Sequence, residues 1–476
     1  MKNKSIGMNS WEYDEQKARL GDPYIMDLYH LLQARTIFVE QDHDRNAVHD
    51  YFIRKTPFGS YLLVAGTERV LKNLYSMRFT EDDISEAEMI LSRMKLDVPE
   101  KFLKYLANFK FDANVWAMPE GEIAFGSEPI MRIEGSWLKT WIIESMVLKT
   151  MNSPSLVATY ASKIANIAKD MTLADFMLRR APGDGAAVSL TRAAYIGGFM
   201  STSNVRAAIN LKIPLSGTMS HEFIQAYTKI AGSETNAFVI YGKNNPENRI
   251  YLVDTFDPVK GIKSAIKASE IIGEPAKAIR IDSGNLIELA KMARNMDRSR
   301  EKFLGIILTS DIDIETVKRI TEEEAPVGGL GIGTKMAAPS NPSALGGVFK
   351  LVEIEVDGVM EPVIKISGDE AKILLPGRKD VWRQKKGGVY LQDVIALTGD
   401  DPGQGFKPVL RQMMKDGEML VNPKKLSDIQ KFARTNIATL PEEVRRNDNP
   451  LSYPVMLSEK LADLRKELIK NAKKIK

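Results

Sequence analysis

Hydrophobic and polar positions change rhythm twice along this chain. In residues 1–150, short apolar runs are punctuated by Gly and Pro and predict strands: Tyr61-Leu-Leu-Val-Ala65, Glu122-Ile-Ala-Phe125 and Ile130-Met-Arg-Ile133. Between them, residues 82–94 and 100–109 carry helical spacing. A helix is predicted from Trp137 to about Met151, stopping at Asn152-Ser153-Pro154, and a second from Ser155 to about Met171. The pattern then alternates. Strand candidates fall at 176–178, 194–199, 213–217, 237–241, 250–253, 278–281, 305–308 and 328–333, with helix candidates at 222–230, 259–268, 286–296 and 314–323. Strands separated by helices of this length predict right-handed βαβ units and a parallel sheet. Seven or eight units in succession favour a closed or nearly closed barrel, although a doubly wound sheet has the same spacing. From about Phe349 β-like segments return at 352–356, 363–366 and 388–391. A charged helical tail from Leu457 to Lys476 follows, with Leu461, Leu464, Leu468 and Ile469 on one face. The reading is therefore three parts, 1–150, 151–349 and 350–476. No repeat or linker separates them, and the two β-rich ends are free to form one discontinuous domain.

Composition narrows the chemistry. The 476 residues include no Cys, which excludes disulfides, thiolate metal sites and a Cys nucleophile. Of the 4 His, three (His30, His43, His49) are N-terminal, so a His-rich metal site is not expected. No apolar run is long enough to predict a membrane span, and the charged start MKNKSIGMNSWEYDEQ has no apolar core of a secretory signal, so a cytoplasmic protein is expected. A net charge of +4 suits an anionic substrate without indicating nucleic acid.

The residues just past the candidate strands are the informative ones. They are Arg179-Arg180, then Ser201-Thr-Ser203-Asn204, His221 in GTMSHEF, Asp254 in LVDTFD, Asp282-Ser-Gly in IRIDSGN, Ser310-Asp311 in ILTSDID, and Gly331-Ile-Gly333-Thr334-Lys335. Barrel enzymes place reactive groups at strand C-terminal ends. An Asp or Ser there is often only a helix N-cap, and a lone His is often structural. Paired arginines suit bidentate phosphate or carboxylate binding. A Gly-rich turn after the last strand suits a phosphate.

These runs, with DFMLRRAPGDGA, RAAYIGGFMSTSNV and LGGVFKLVEI, closely resemble the nicotinate phosphoribosyltransferases, type II phosphoribosyltransferases, from Asp27-Leu28-Tyr29 to about Ile366. The resemblance implies an irregular α/β barrel plus a discontinuous α/β sandwich-like domain, working as a homodimer with shared active sites. It implies joining of nicotinate to phosphoribosyl pyrophosphate in NAD biosynthesis, giving nicotinate mononucleotide and pyrophosphate. ATP hydrolysis would be coupled through a phosphohistidine, with magnesium required. His221 matches the phosphorylated residue and Asp254 the carboxylate that orients it. Arg280 and Asp282 match the pair holding the base and ribosyl diphosphate, and Gly331, Gly333, Thr334 and Lys335 the 5′-phosphate loop. Phe176 matches the aromatic stacked on the pyridine, Arg179 the arginine beside it, and Ser203 the residue facing the ring substituent. Tyr29 and Arg54 match residues reaching the base and the phosphates from the neighbouring subunit.

Two positions depart from the family pattern, Met177 and Ser201, each standing where glycine is usual. A zinc module found in some relatives needs cysteines that this chain lacks. Three alternatives stay open. One is a sugar-phosphate barrel enzyme, for which only Lys335 could serve as a strand-end lysine. Another is a non-catalytic ligand- or nucleic-acid-binding protein, suggested by the basic tail. The nearest is the same fold acting on nicotinamide.

Overall fold

A computed structural model describes residues 19–474; the N-terminal stretch read for a signal and the last two residues of the tail lie outside the described residues. Seven antiparallel strands form the largest sheet, in the order Val359–Pro362, Gly347–Val356, Asn46–Ile53, Pro129–Ser136, Asn114–Ala117, Arg411–Lys415, Glu418–Met419. Strands from both ends of the chain thus interleave in one sheet. A further sheet of four strands, built around the hairpin Lys379–Lys386 and Val389–Leu397, takes Val455–Leu457 as a parallel edge.

The middle of the chain forms a six-stranded sheet with every pairing parallel. Its order is Ser201–Thr202, Thr172–Asp175, Gly329–Ile332, Phe303–Leu308, Ala276–Ile281, Ile250–Leu252. Register aligns Ile332 with Asp175, Asp175 with Thr202, and Leu308 with both Ile281 and Leu330, so the strand C-termini share one rim. This is an irregular α/β barrel of fewer strands than the sequence pattern predicts.

Three predicted strands are absent, and one short strand, Ser201–Thr202, was not predicted. Residues 194–199 finish the helix Asp184–Ile196, residues 237–241 lie inside the helix Glu234–Asn244, and residues 213–217 contribute only a bridge, Leu215 beside Thr202. A short apolar run buried in a helix has no periodicity that separates it from a buried strand. The first barrel strand also ends earlier than read: Thr172–Asp175 is extended, while Leu178–Arg180 is a 3₁₀ turn. Residues 363–366 are not a strand, their place being taken by Val359–Pro362.

Pro154 does not end a helix. The helix Glu144–Ile167 runs through it, the break falling earlier, after Trp137–Trp141. The boundary drawn at residue 150 therefore cuts a continuous helix whose first half packs in one core and second half in the other. Pro154 leaves the Thr150 carbonyl without its helical donor. There the chain at Gly66 (φ +107) passes so close that a Cβ would lie 2.3 Å from the Thr150 oxygen.

The same helix edges a strand. Leu62–Leu63 pairs with Ile123–Ala124 on one side. On the other, Thr159 Oγ1 accepts from the Leu63 N–H (2.9 Å), and Ser155 Oγ accepts from Ala65 N–H and donates to its carbonyl. Tyr61, Leu63 and Ala65 face the barrel core while Leu62 and Val64 face the N-terminal core. Burial on both faces is why this run is apolar without alternation.

Candidate active site

At the rim, local caps explain what the candidate residues are not doing. Ser220, Asp257, Asn285, Asp313 and Asn204 cap the helices that follow the strands, each side chain accepting a backbone N–H three residues on. Of the strand-end residues singled out in the sequence, Asn204 is therefore a cap. His221, Asp254, Asp282, Ser203 and Asp311 are thereby free of the capping role that would explain such residues structurally.

His221 opens the helix His221–Ala231 with its side chain 41% exposed. Its Nδ1 is 3.0 Å from Thr255 Oγ1, and its Nε2 is 3.7 Å from Asp282 Oδ2. Asp254, expected to orient the imidazole, is not its partner. It is buried one loop away, where Oδ2 accepts the Asp282 N–H (3.0 Å) and the Ser283 hydroxyl, and Oδ1 is buried without a partner. Asp254 thus holds the turn that carries Asp282, and Thr309 donates its hydroxyl to the Asp282 carboxylate.

Arg280 lies at the end of Ala276–Ile281 and donates to the Thr218 hydroxyl. Burial pulls its guanidinium below the usual arginine range; Asp282 and Asp254 oppose this, and nearby Arg179 adds to it. A guanidinium stays charged in proteins, so Arg280 and Arg179 bring two neighbouring positive charges to the rim.

Phe176, half-buried, sits on the barrel strand Gly329–Ile332. A Cβ on Gly331 would lie 2.6 Å from its ring, and one on Gly333 2.9 Å from its carbonyl oxygen. Gly331 is inside the strand, and its lack of a side chain seats Phe176. Gly333 precedes the short helix Thr334–Ala337, whose leading N–H groups have no intrahelical acceptor. Lys335 is half-buried and makes no salt bridge among the described residues.

Asp175 organises the turn beneath Phe176. Oδ1 accepts the Met177 N–H (2.7 Å), Oδ2 accepts the Thr191 (2.6 Å) and Thr202 (2.8 Å) hydroxyls, and the Asp175 carbonyl accepts the Ser203 N–H (2.9 Å). Burial pushes this carboxyl up, against those hydrogen bonds. Met177 is buried in the barrel core and Ser201 is half-buried at the strand start. The Ser203 hydroxyl has no protein partner among the described residues. Ser310 holds φ 104°, a strained conformation for a residue with a side chain, and leads into exposed Asp311.

Two expected residues lie elsewhere in the chain. Tyr29, 42% exposed on the helix Leu28–Val39, contacts His30 and Trp141 rather than Phe176. Arg54, at the end of Asn46–Ile53, makes no salt bridge among the described residues. The partners Thr218, Thr255, Thr309 and Asp175 were missed by the reading of strand ends, and Thr202 was included there only within the run 201–204. The threonines carry a signal of their own, recurring at or just past the ends of extended segments, as in MST, SGT, DT and LTSD.

Residues 171–383 match the nicotinate phosphoribosyltransferase (NAPRTase) family, residues 25–152 its N-terminal domain and residues 402–465 its C-terminal domain. A nicotinate phosphoribosyltransferase of Bacillus subtilis is 34% identical over 462 residues, spanning 91% of this chain and 92% of its own. One from Mycobacterium tuberculosis is 31% identical over 442 residues, spanning 91% of both. The fold is similar to human nicotinic acid phosphoribosyltransferase, with TM-score 0.80 and 24% identity over 93% of this chain and 99% of that one. It is also similar to a nicotinate-nucleotide pyrophosphorylase of Pyrococcus furiosus, with TM-score 0.69 and 24% identity over 88% of this chain and 95% of the other. A single origin for barrel, interleaved sheet and rim follows: the chain belongs to the nicotinate phosphoribosyltransferase family.

Proposed function

We propose that this protein is a nicotinate phosphoribosyltransferase of NAD biosynthesis, making nicotinate mononucleotide and pyrophosphate from nicotinate and phosphoribosyl pyrophosphate. The pyridine nitrogen attacks the ribosyl C1′ as the C1′–O bond to diphosphate breaks. The observation that carries the reading is the rim itself. An aromatic face (Phe176), two adjoining cations (Arg179, Arg280) and an unpartnered hydroxyl (Ser203) stand beside the His221–Asp282 pair. Phe176 holds the planar base, and the arginines with Ser203 face its carboxylate, which only accepts hydrogen bonds. Gly333, Thr334 and Lys335 receive the 5′-phosphate through backbone N–H groups and an ammonium. Ser310 and Asp311 stand beside the sugar.

Magnesium suits the same rim. The buried, unpartnered Asp254 Oδ1 lies beside Asp282, and this ion typically takes one or two carboxylates plus substrate phosphates rather than a protein cage. When bound it neutralises the departing diphosphate.

ATP is the co-substrate in this reading. A His221 ring nitrogen takes its terminal phosphate, an N–P bond forming as the P–O bond to ADP breaks, and water later removes the phosphate. Thr255 and Asp282 orient the ring. The active unit is a cytoplasmic homodimer in which exposed Tyr29, and Arg54, complete the neighbour's site.

Incubation with phosphoribosyl pyrophosphate, magnesium, ATP and either base tests the reading: mononucleotide is expected from nicotinate in strong preference to nicotinamide, and its absence with nicotinate overturns it. His221→Ala is expected to abolish ATP hydrolysis and acid-labile labelling while slow, ATP-independent synthesis survives. Label persisting on the Ala variant would place the phosphate elsewhere.

A further inference from the structure

Away from the rim, a groove of about 80 Å³ opens between the helix Thr67–Ser76, the strands Arg411–Lys415 and Glu418–Met419, and residues 421–429. Leu71, Met413, Met419, Val421 and Ile429 make its walls apolar, and two methionines allow them to reshape around a ligand.

Its charges are unbalanced. Glu68 and Glu120 line the groove, but Arg192, reaching across from the helix Asp184–Ile196, already engages both: Glu120 through two bonds (2.7 and 2.6 Å) and Glu68 through one (3.1 Å). Burial, reinforced by neighbouring Glu120, pushes the Glu68 carboxyl up, against Arg192. At the mouth, Lys72, Arg411 and Lys424 are exposed and make no salt bridge among the described residues; Lys424 rests 5.6 Å from the centre of the Phe432 ring. An apolar hollow rimmed by three unpaired cations matches a ligand with an apolar body and one anionic end.

We propose that this groove is a second small-molecule site, separate from the catalytic rim, that takes a monoanionic amphiphile with an aliphatic body, such as a medium-chain carboxylate. The apolar body displaces water from the Leu71–Met413–Ile429 walls, and the anion stays at the mouth beside Lys72 and Lys424. There it keeps part of its hydration and meets opposite charge. A cationic head would meet three like charges.

The test is calorimetric and needs no turnover, so it stands or fails independently of the catalytic reading. Octanoate, octanol and octylamine are titrated into the full chain, with and without saturating nicotinate. Octanoate is expected to bind in both conditions, more tightly than octanol, with octylamine weakest. The surface double variant Lys72→Glu/Lys424→Glu, and separately Val421→Trp, which fills the hollow, are each expected to weaken octanoate by about tenfold, or about 1.4 kcal/mol. Any one of four results overturns the proposal: no octanoate binding, equal affinity for octanol, displacement by nicotinate, or wild-type affinity in both variants. Octanoate affinity that falls as protein concentration rises would put a second copy of this chain in the groove and overturn it as well.

Discussion

Thr202, Thr218, Thr255 and Thr309 each lie at or just past the end of an extended segment, and each hydroxyl contacts one of the residues that define the rim: Asp175, Arg280, His221 and Asp282. A threonine hydroxyl can donate and accept at once, so it can orient either sign of charge without adding one. Ser203 differs in having no such duty, since Asn204 is the helix cap. Its hydroxyl is left for the substituent of the base. Ser203→Asp would set a carboxylate against nicotinate but offer an acceptor to the amide of nicotinamide. It is expected to lower kcat/KM for nicotinate about 100-fold, some 2.7 kcal/mol, and for nicotinamide far less. Equal losses for the two bases would remove Ser203 from the specificity contact. Gly331 permits a separate discrimination. An alanine methyl there meets the Phe176 ring at 2.6 Å and the Thr309 methyl at 2.7 Å. Gly331→Ala is therefore expected to raise KM for nicotinate about tenfold, the scale of losing one aromatic stacking contact, with KM for phosphoribosyl pyrophosphate nearly unchanged. Matching rises in both constants would return Gly331 to the phosphate loop.

Among the elements, the helix Glu144–Ile167 does two jobs that its sequence hides. Pro154 reads locally as a stop, yet packing on both cores and the close passage of Gly66 keep the helix continuous. Its Ser155 and Thr159 take the place of a neighbouring strand for residues 63–65. Thr159 is fully buried, so Thr159→Val keeps the shape and leaves the Leu63 N–H without an acceptor. A loss of about 1–3 kcal/mol is expected from the urea midpoint, with Thr159→Ser recovering most of it. Full stability in the Val variant would show that another acceptor replaces Thr159. The same contrast explains what was legible. The strands at 250–252, 276–281, 303–308 and 329–332 and the helix Leu286–Met296 stand close to where periodicity puts them. Residues 194–199 and 237–241 misled because AYIGGF and AFVIY are apolar on every side. Their helical state is set upstream, by helix starts at Asp184 and at Glu234 with its Ser233 cap.

At the scale of the whole molecule, the rim was legible because parallel strands bring their C-terminal ends together, so neighbours in space appear as a repeated position in sequence. Tertiary partners such as Asp254 with Ser283, or Arg192 with Glu120, carry no such repeat. Tyr29 and Arg54 pose the larger question. They belong to the N-terminal elements, and within the chain Tyr29 packs on His30 and Trp141 while exposing much of its ring. Burial and the Glu144 carboxylate push its hydroxyl up to about 12, so the ring is neutral at physiological pH and suited to stacking on a planar base. If that ring serves a neighbouring subunit, each site draws Tyr29 from one chain and His221 from the other. Tyr29→Ala and His221→Ala homodimers are then each impaired, but a heterodimer of the two contains one site with both residues intact. Mixed and re-associated variants are expected to regain ATP-coupled turnover toward about half the wild-type level per heterodimer, since closed two-fold assembly leaves one of two sites whole. No recovery in heterodimers verified by mass would show that each chain supplies its own tyrosine.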